Sequence, residues 1–381
     1  MKILIATGIY PPDIGGPATY TVSLAKELTK LGHKVTVITY TDDKRANARG
    51  AWRLVTVNRR WPLLLRYRLY QIKVWWYGFQ NDCIYAQDSV SAGLPAMVAN
   101  WFLWKPFVLK VVGDYAWEQG QNKYGVRDDL NAFQHKKYSW KIEMLRWIEK
   151  KVARHATKII TPSKYLKGIV EQWEIPSEKI SVVYNSYDAA AIVVAKQPDK
   201  TEEIIMSVGR LVPWKGLDTL IELMPQILKV RPNAKLVIAG DGPFKKQLEE
   251  TIAANHLEGK VILRGRLAHE QLLEELSRAS VFVLNSSYEG LSHQILEAQA
   301  LKIPCAVSSV GGNPEVIENE KTGLLFEYNK ETIKDSILKL LDNPDYAKSL
   351  ANEAYRNLEK FNFEKMIKET VKVLESVCQK S

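Results

Sequence analysis

No run in this chain reaches the roughly 18 uninterrupted apolar residues that a membrane-crossing helix needs, so an integral membrane protein is not expected. The opening residues, MKILIATGIYPPD, lack the apolar core and small-residue cleavage site of a secretory leader. Cysteine is scarce. Cys83, Cys305 and Cys378 lie far apart, form no CxxC pair and stand at no metal-ligand spacing with the six histidines. Neither a disulfide scaffold nor a metal cluster is supported, and a reducing cytosol is the expected compartment. No G-x-G-x-x-G follows the first apolar stretch, no P-loop occurs, and no Asp-x-Asp pair is present to hold a metal-bound diphosphate. Gly240-Asp241-Gly242 is a turn signal only. There is no Lys/Arg-rich tail, so a nucleic-acid partner is not expected.

What remains is an ordinary globular balance, 46% apolar and 25% charged, over 381 residues, a length that suits two domains. The net charge of +10 favours anionic partners such as nucleotides or an acidic membrane surface. The first forty residues read as strand KILIA, loop TGIYPPDIGG, amphipathic helix PATYTVSLAKELTKLG and β-branched strand HKVTVITY. DCIYAQ, a helix over about 89–102, FVLKVVG, a long helical stretch and TKIITPS continue the alternation. The rhythm breaks near 184–200 and restarts with EIIMSVG, KLVIAG, KVILRG, SVFVLNS and PCAVSS. Such alternation predicts two α/β domains, each a doubly wound parallel sheet covered by helices. Ligands of these sheets bind in loops at the carboxyl ends of the strands.

Four loops of that kind carry candidate residues. In SSYEGLSHQILEAQALKIP, Glu289 precedes a helix that opens near Ser292 or His293, and Glu297 falls about one turn inside it. Helix starts expose unpaired N–H groups and attract phosphate, and Gly290 permits close backbone approach. A diphosphate seated there would have one carboxylate toward each end, and carboxylates accept sugar hydroxyls. The plainer alternative is a pair of N-terminal acids favoured by the helix dipole. In MSVGRLVPWKGLDTLIE, Arg210 and Lys215 flank a helix start and suit a diphosphate leaving group, against the alternative of solvated surface charges. Gly15-Gly16 precedes a Pro-led helix after the first strand and suits either ligand contact or a simple turn. Asp114 in KVVGDYAWE could bind substrate or polarise a hydroxyl, or could cap a helix.

Together these stretches resemble glycosyltransferase family 4, the retaining, nucleotide-sugar-dependent enzymes of GT-B fold. The likeness rests on PPDIGGPATYTVSLAKEL, GRLVPWKGLDTLIE, AGDGP and YEGLSHQILEAQALKIPCAVSSVGGNPEVI, and it spans essentially the whole chain. It implies two Rossmann-like domains facing an interdomain cleft: residues 1–188, completed by a C-terminal helix at about 362–381, on the acceptor side, and 189–361 on the donor side. Asn185-Ser186-Tyr187-Asp188 stands at the family's usual domain junction. The resemblance implies that Glu289 contacts the donor sugar and Glu297 the ribose. Leu291, Ser292 and His293 would meet the phosphates through backbone amides beside Gly290, Arg210 and Lys215 would bind the diphosphate, and Gly15 and Gly16 would lie on the donor side. Gly113-Asp114 stands where the family often has a histidine, so Asp114 would substitute for it or serve the acceptor. Ser292 replaces the signature's second glycine. The implied chemistry is transfer with retention and without a metal. No cofactor is implied beyond the nucleotide-sugar co-substrate, with UDP-sugar ahead of GDP-sugar.

Residues 58–79, NRRWPLLLRYRLYQIKVWWYGF, mix five basic residues with aromatics. Such a helix could lie on an anionic membrane, or pack on the sheet with a solvated basic face. The resulting expectation is a cytoplasmic or peripheral enzyme that transfers sugar to a glycan or lipid-linked acceptor in cell-envelope polysaccharide synthesis. A GT-B sugar-nucleotide epimerase and a non-catalytic glycan- or membrane-binding relative are the alternatives.

Overall fold

The structure is a computed structural model that describes residues 1–13, 16–42, 51–187, 192 and 202–378. It divides into two compact units, Met1–Tyr184 with Glu364–Ser381, and Asn185–Phe363. Gly15 and Asp188, together with most of the connector anticipated at 184–200, lie outside the described residues.

The first unit holds a seven-stranded parallel sheet of β1 (Lys2–Ala6), β2 (Lys34–Thr41), β3 (Arg53–Asn58), β4 (Cys83–Ala86), β5 (Phe107–Lys110), β6 (Lys158–Thr161) and β7 (Ile180–Val182). Its order is β3-β2-β1-β4-β5-β6-β7, so the winding direction reverses between β1 and β4. The second unit repeats the plan with β8 (Ile204–Val208), β9 (Lys235–Ala239), β10 (Val261–Gly265), β11 (Val281–Leu284), β12 (Cys305–Ser308) and β13 (Leu324–Phe326), in the order β10-β9-β8-β11-β12-β13. The reversal falls here between β8 and β11, where helices leave the sheet in opposite senses and their starts open a crevice.

Three strands, β3, β7 and β13, were not anticipated from the sequence, and all three are edge strands. β7 and β13 are three residues long, and β3 is only partly buried, so none shows the continuous apolar run of a central strand. The central strands are buried throughout, as in CIYA and VFVL. The closing helix Phe363–Cys378 belongs to the first unit. Its Thr370 Oγ1 lies 3.5 Å from the Tyr20 hydroxyl, which is in turn 2.9 Å from that of Tyr85.

Helix Leu63–Gly78 packs on its own unit, but its outer face is not the solvated basic one expected of a packed helix. Its buried side is Tyr70, Val74 and Gly78. Most of its basic residues are spent on internal contacts. Lys73 donates to Thr56 O, Arg66 lies over the Tyr40 ring, and the neighbouring Arg59 pairs with Asp13. The outward face carries Leu64, Ile72, Trp75 and Trp76 instead.

One buried charge stands out. Lys110 ends β5, is 4% exposed, and rests its ammonium 3.3 Å above the Tyr20 ring with no carboxylate partner among the described residues. Burial pulls its pKa down to about 7. The unfolded chain therefore takes up a proton below the ordinary lysine value that the folded chain refuses until near neutrality. Stability rises with pH across this window, and the cost is fully present below it. Lys110→Met should raise stability at pH 7. It should also remove a contribution to the pH slope approaching about 1.4 kcal/mol per unit between pH 7 and 9, read by urea unfolding across that range. An unchanged slope would show that Lys110 stays protonated in the folded chain across this range.

Candidate active site

The reversal between β8 and β11 brings two sequence-distant loops together. β8 runs into Gly209-Arg210, then a short turn, Pro213–Lys215, then Gly216, whose φ of 56° places it in the left-handed region. A side chain on Gly216 would meet Asn285 O at 2.4 Å, so only glycine lets the helix Leu217–Val230 start against the end of β11. Asn285 Nδ2 donates to Gly216 O at 3.0 Å, and Ser287 N donates to Trp214 O at 2.7 Å. These bonds fasten the two loops.

The fastening positions Lys215 and Glu289. Their side chains, each 11% exposed, form a direct ion pair, and Ser286 Oγ donates to the same Glu289 oxygen at 2.6 Å. The lysine stem also passes Gly209, where an added Cβ would sit 3.3 Å from its Cε. Behind Glu289 runs the loop after β12. Gly312 N donates to Glu289 O at 2.9 Å, and a Cβ on Gly311 would fall 2.1 Å from that oxygen. Glu289 is thus held through its carboxylate and its backbone carbonyl.

Beyond Glu289 the chain turns into helix His293–Ala300, capped by Ser292, which accepts from Ile295 N at 3.4 Å. Asn185 Nδ2 donates to Leu291 O at 3.3 Å, and His293 Nδ1 lies 3.0 Å from Ser186 O. Gly290, Leu291 and Ser292 are buried, yet their backbone N–H groups make no hydrogen bond among the described residues. Buried amides without acceptors are uncommon, and three in succession at a helix start form an anion-binding concavity. Glu297, one turn into the helix, is 2.9 Å from His269 Nε2, at the start of helix His269–Ser277. Arg210 is exposed and makes no ion pair among the described residues.

The structure therefore gathers Lys215, Glu289 and the amides of residues 290–292, with Glu297 a turn beyond. It adds partners that the sequence did not mark: Ser286, Asn285 and His269. Nothing in ASVFVLNSS or RGRLAHE singles them out, because their roles come from strand adjacency. Gly16 opens the helix Gly16–Lys30 in the first unit and is exposed. No three His, Cys, Asp or Glu side chains among the described residues converge as a metal site.

Asp114 is corrected by the structure. It is 1% exposed and caps helix Tyr115–Lys123, one oxygen accepting from Trp117 N and the other from Gln134 Nε2, both at 2.8 Å. Glu149 is buried beside it and accepts from Tyr115 N and Ala116 N. Burial raises the pKa of both carboxyls, and the Asp114 charge raises that of Glu149 further. Asp114 is a buried helix cap, the second of the two readings open to it from the sequence, and not an acid presented to a ligand.

Comparison with known proteins agrees with this geometry. The family described as Glycosyltransferase Family 4 matches residues 14–191, and Glycosyl transferases group 1 matches residues 188–357. An uncharacterized glycosyltransferase of Methanocaldococcus jannaschii is 29% identical over 98% of this chain and 97% of its own. Glycogen synthase of Mycobacterium tuberculosis is 26% identical over 94% and 90%. Among solved structures, Anabaena Alr3699/HepE in complex with UDP and glucose superposes with a TM-score of 0.80 at 19% identity, over 99% of this chain and all of that one. The chain belongs to the family 4 glycosyltransferases and has the GT-B type of fold, two parallel-sheet α/β domains.

Removing one partner of the Lys215–Glu289 pair strands a charge with little water access. Lys215→Met and Glu289→Gln should each destabilise the protein by roughly 3 kcal/mol. The double variant should lose less than the sum by at least about 1 kcal/mol in a urea-unfolding cycle. Strict additivity would mean that the pair is not coupled in solution.

Proposed function

We propose that the protein is a retaining, metal-independent glycosyltransferase that moves a sugar from a nucleoside-diphosphate sugar to a glycan or lipid-linked acceptor. The observation that carries this reading is the run of three buried, unbonded amides at Gly290–Ser292 beside the Lys215–Glu289 pair. A diphosphate on those amides would draw the Lys215 ammonium from Glu289 and free that carboxylate for the sugar hydroxyls. Arg210, already unpaired, would supply the second cation. As the glycosidic bond breaks, negative charge grows on the leaving diphosphate, and these fixed donors stabilise it most at that point. The acceptor hydroxyl attacks from the face the diphosphate leaves, which gives retention. Glu297 takes the ribose.

A UDP-sugar is the favoured donor, in keeping with the UDP and glucose bound by the Anabaena relative in its fold. We assign the acceptor to cell-envelope polysaccharide synthesis at the inner face of the membrane, with residues 58–79 toward the lipid. An epimerase would use the same donor without needing an acceptor site. A non-catalytic relative would have no use for a lysine held ready at the phosphates.

Thermal unfolding with UDP, GDP, ADP and TDP, chelator present throughout, tests the donor site. A nucleotide at a hundred times its Kd should stabilise by about 2.7 kcal/mol, and UDP should stand out. Lys215→Ala should then reduce turnover of the UDP-sugar by roughly 10²-fold or more while leaving acceptor binding intact. No stabilisation by any nucleotide, or equal losses of turnover and acceptor binding, would overturn the assignment. Release of UDP without acceptor and with epimerised sugar would favour the epimerase.

A further inference from the structure

Large apolar side chains are exposed unevenly in this protein. Among the described residues of the second unit only Val230, Tyr328 and Tyr355 are comparably open, whereas the first unit exposes a row along helix Leu63–Gly78, a cluster just after helix Gly93–Asn100, and Trp140, Met144 and Trp147 on helix Trp140–His155. On the first helix, Leu64, Ile72, Trp76 and Phe79 just beyond its end follow one another at helical spacing, and each is more than half exposed. The cluster is Trp101, Phe102 and Trp104, at 53%, 67% and 90%.

The Trp101–Lys105 turn is built to hold those rings out. Leu103 points inward and seats on Gly78, where an added Cβ would meet its Cδ1 at 2.3 Å. The tip therefore lies beside the Phe79 end of the apolar row. Asn100, 4% exposed, clamps the far side of the turn, donating to Lys105 O at 2.9 Å and accepting from Lys105 N at 3.1 Å. The backbone N–H groups of residues 101–104 are all bonded to carbonyls of Met97, Ala99 and Asn100. Trp104 is held at φ 53°, a left-handed conformation that suits glycine or asparagine and is strained for a bulky side chain. A tryptophan there gains no burial within its own chain. Its placement stabilises nothing in water.

Charge identifies what would cover it. No acidic residue occurs between Asn58 and Asn81 or between Ser89 and Gly113, while Arg68 is exposed and Lys105 follows the tip; Arg60, also exposed, lies 3.9 Å from Asp42, and Asp82 borders the face. A second copy of the chain packed on this face would set Arg68 and Lys105 against their own copies, with acids only at the margin, Asp42 and Asp82. An anionic bilayer complements both features, because tryptophan favours the interface and basic side chains favour the headgroups.

We propose that the Trp101–Trp104 turn is a preformed wedge that enters the headgroup region of an anionic membrane, alongside the outer face of helix Leu63–Gly78. This rests on the peripheral-membrane part of the proposed function and adds a second, rigid element to it. It sets the first unit's orientation on the lipid, because a wedge and a helix row together fix a plane where one helix fixes only a line.

The test is flotation with phosphatidylcholine vesicles, with and without phosphatidylglycerol, at low salt. Trp104→Gly is the informative variant, since glycine suits the left-handed backbone and should leave thermal stability equal or higher. It should nonetheless reduce partition onto anionic vesicles roughly tenfold, the loss of one interfacial tryptophan. Trp76→Ser should reduce it comparably. Unchanged partition of Trp104→Gly with loss in Trp76→Ser would overturn the wedge and leave the helix as the only contact. No flotation of the native protein would overturn membrane binding altogether. Self-association in sedimentation velocity that Trp104→Gly abolishes, without flotation, would instead assign this face to a second copy. Stabilisation by UDP is measured without vesicles, so the transferase assignment stands or falls separately.

Discussion

An ammonium and a carboxylate with little access to water hold the second unit's crevice in shape. Lys215 follows β8 and Glu289 follows β11, two strands adjacent in the sheet but about seventy residues apart along the chain. Desolvating either group alone is expensive, so each fixes the other, and with them the two loops on which they sit. The pairing also makes the site responsive. In the proposed reaction a diphosphate at the neighbouring amides would compete for the lysine and release the glutamate in one event, so carboxylate and cation would become available together.

The glycines around that pair are there for close approach. Gly216, Gly240 and Gly311 have positive φ, and a Cβ on any of them would strike backbone oxygen or carbon at the edge of the sheet. On Gly240 it would fall 1.8 Å from Gly209 O. Their loops approach one another closely over the strand ends. The amides of Gly290, Leu291 and Ser292, unbonded among the described residues, are the ones the proposed function assigns to the diphosphate.

The first unit treats polar groups differently. Its buried acids, Asp114 and Glu149, are occupied with the start of one helix, and its buried lysine faces an aromatic ring. Its hydrophobic surplus is turned outward. Gly78 and Leu103 lock helix and turn together, and Asn100 closes the turn with side-chain bonds that no helix or strand pattern reveals. Rigidity at an exposed aromatic tip has a use only where something other than water meets it.

Much of this was legible in the sequence. The β/α alternation and the apolar central strands follow from local hydrophobic periodicity, which each segment carries by itself. A helix opening near Ser292 or His293, a helix start after Lys215 and Glu297 about one turn into its helix are equally local, since they depend on residue type and spacing over a few positions. The edge strands β3, β7 and β13 were not legible, because their definition lies in the neighbour each pairs with. The same holds for the site. Glu289 and Lys215 are each visible as candidates, but only the strand order β8-β11-β12 joins them and supplies Ser286 and Gly312 as supports. Asp114 marks the limit most clearly. An aspartate after a strand and a glycine suits a ligand site or a helix cap equally well, and the choice was made by Gln134, twenty residues away, and by the depth of the fold around it. Local chemistry is written along the chain. Which charges meet, and which are taken out of water, is decided by contacts between segments far apart in it.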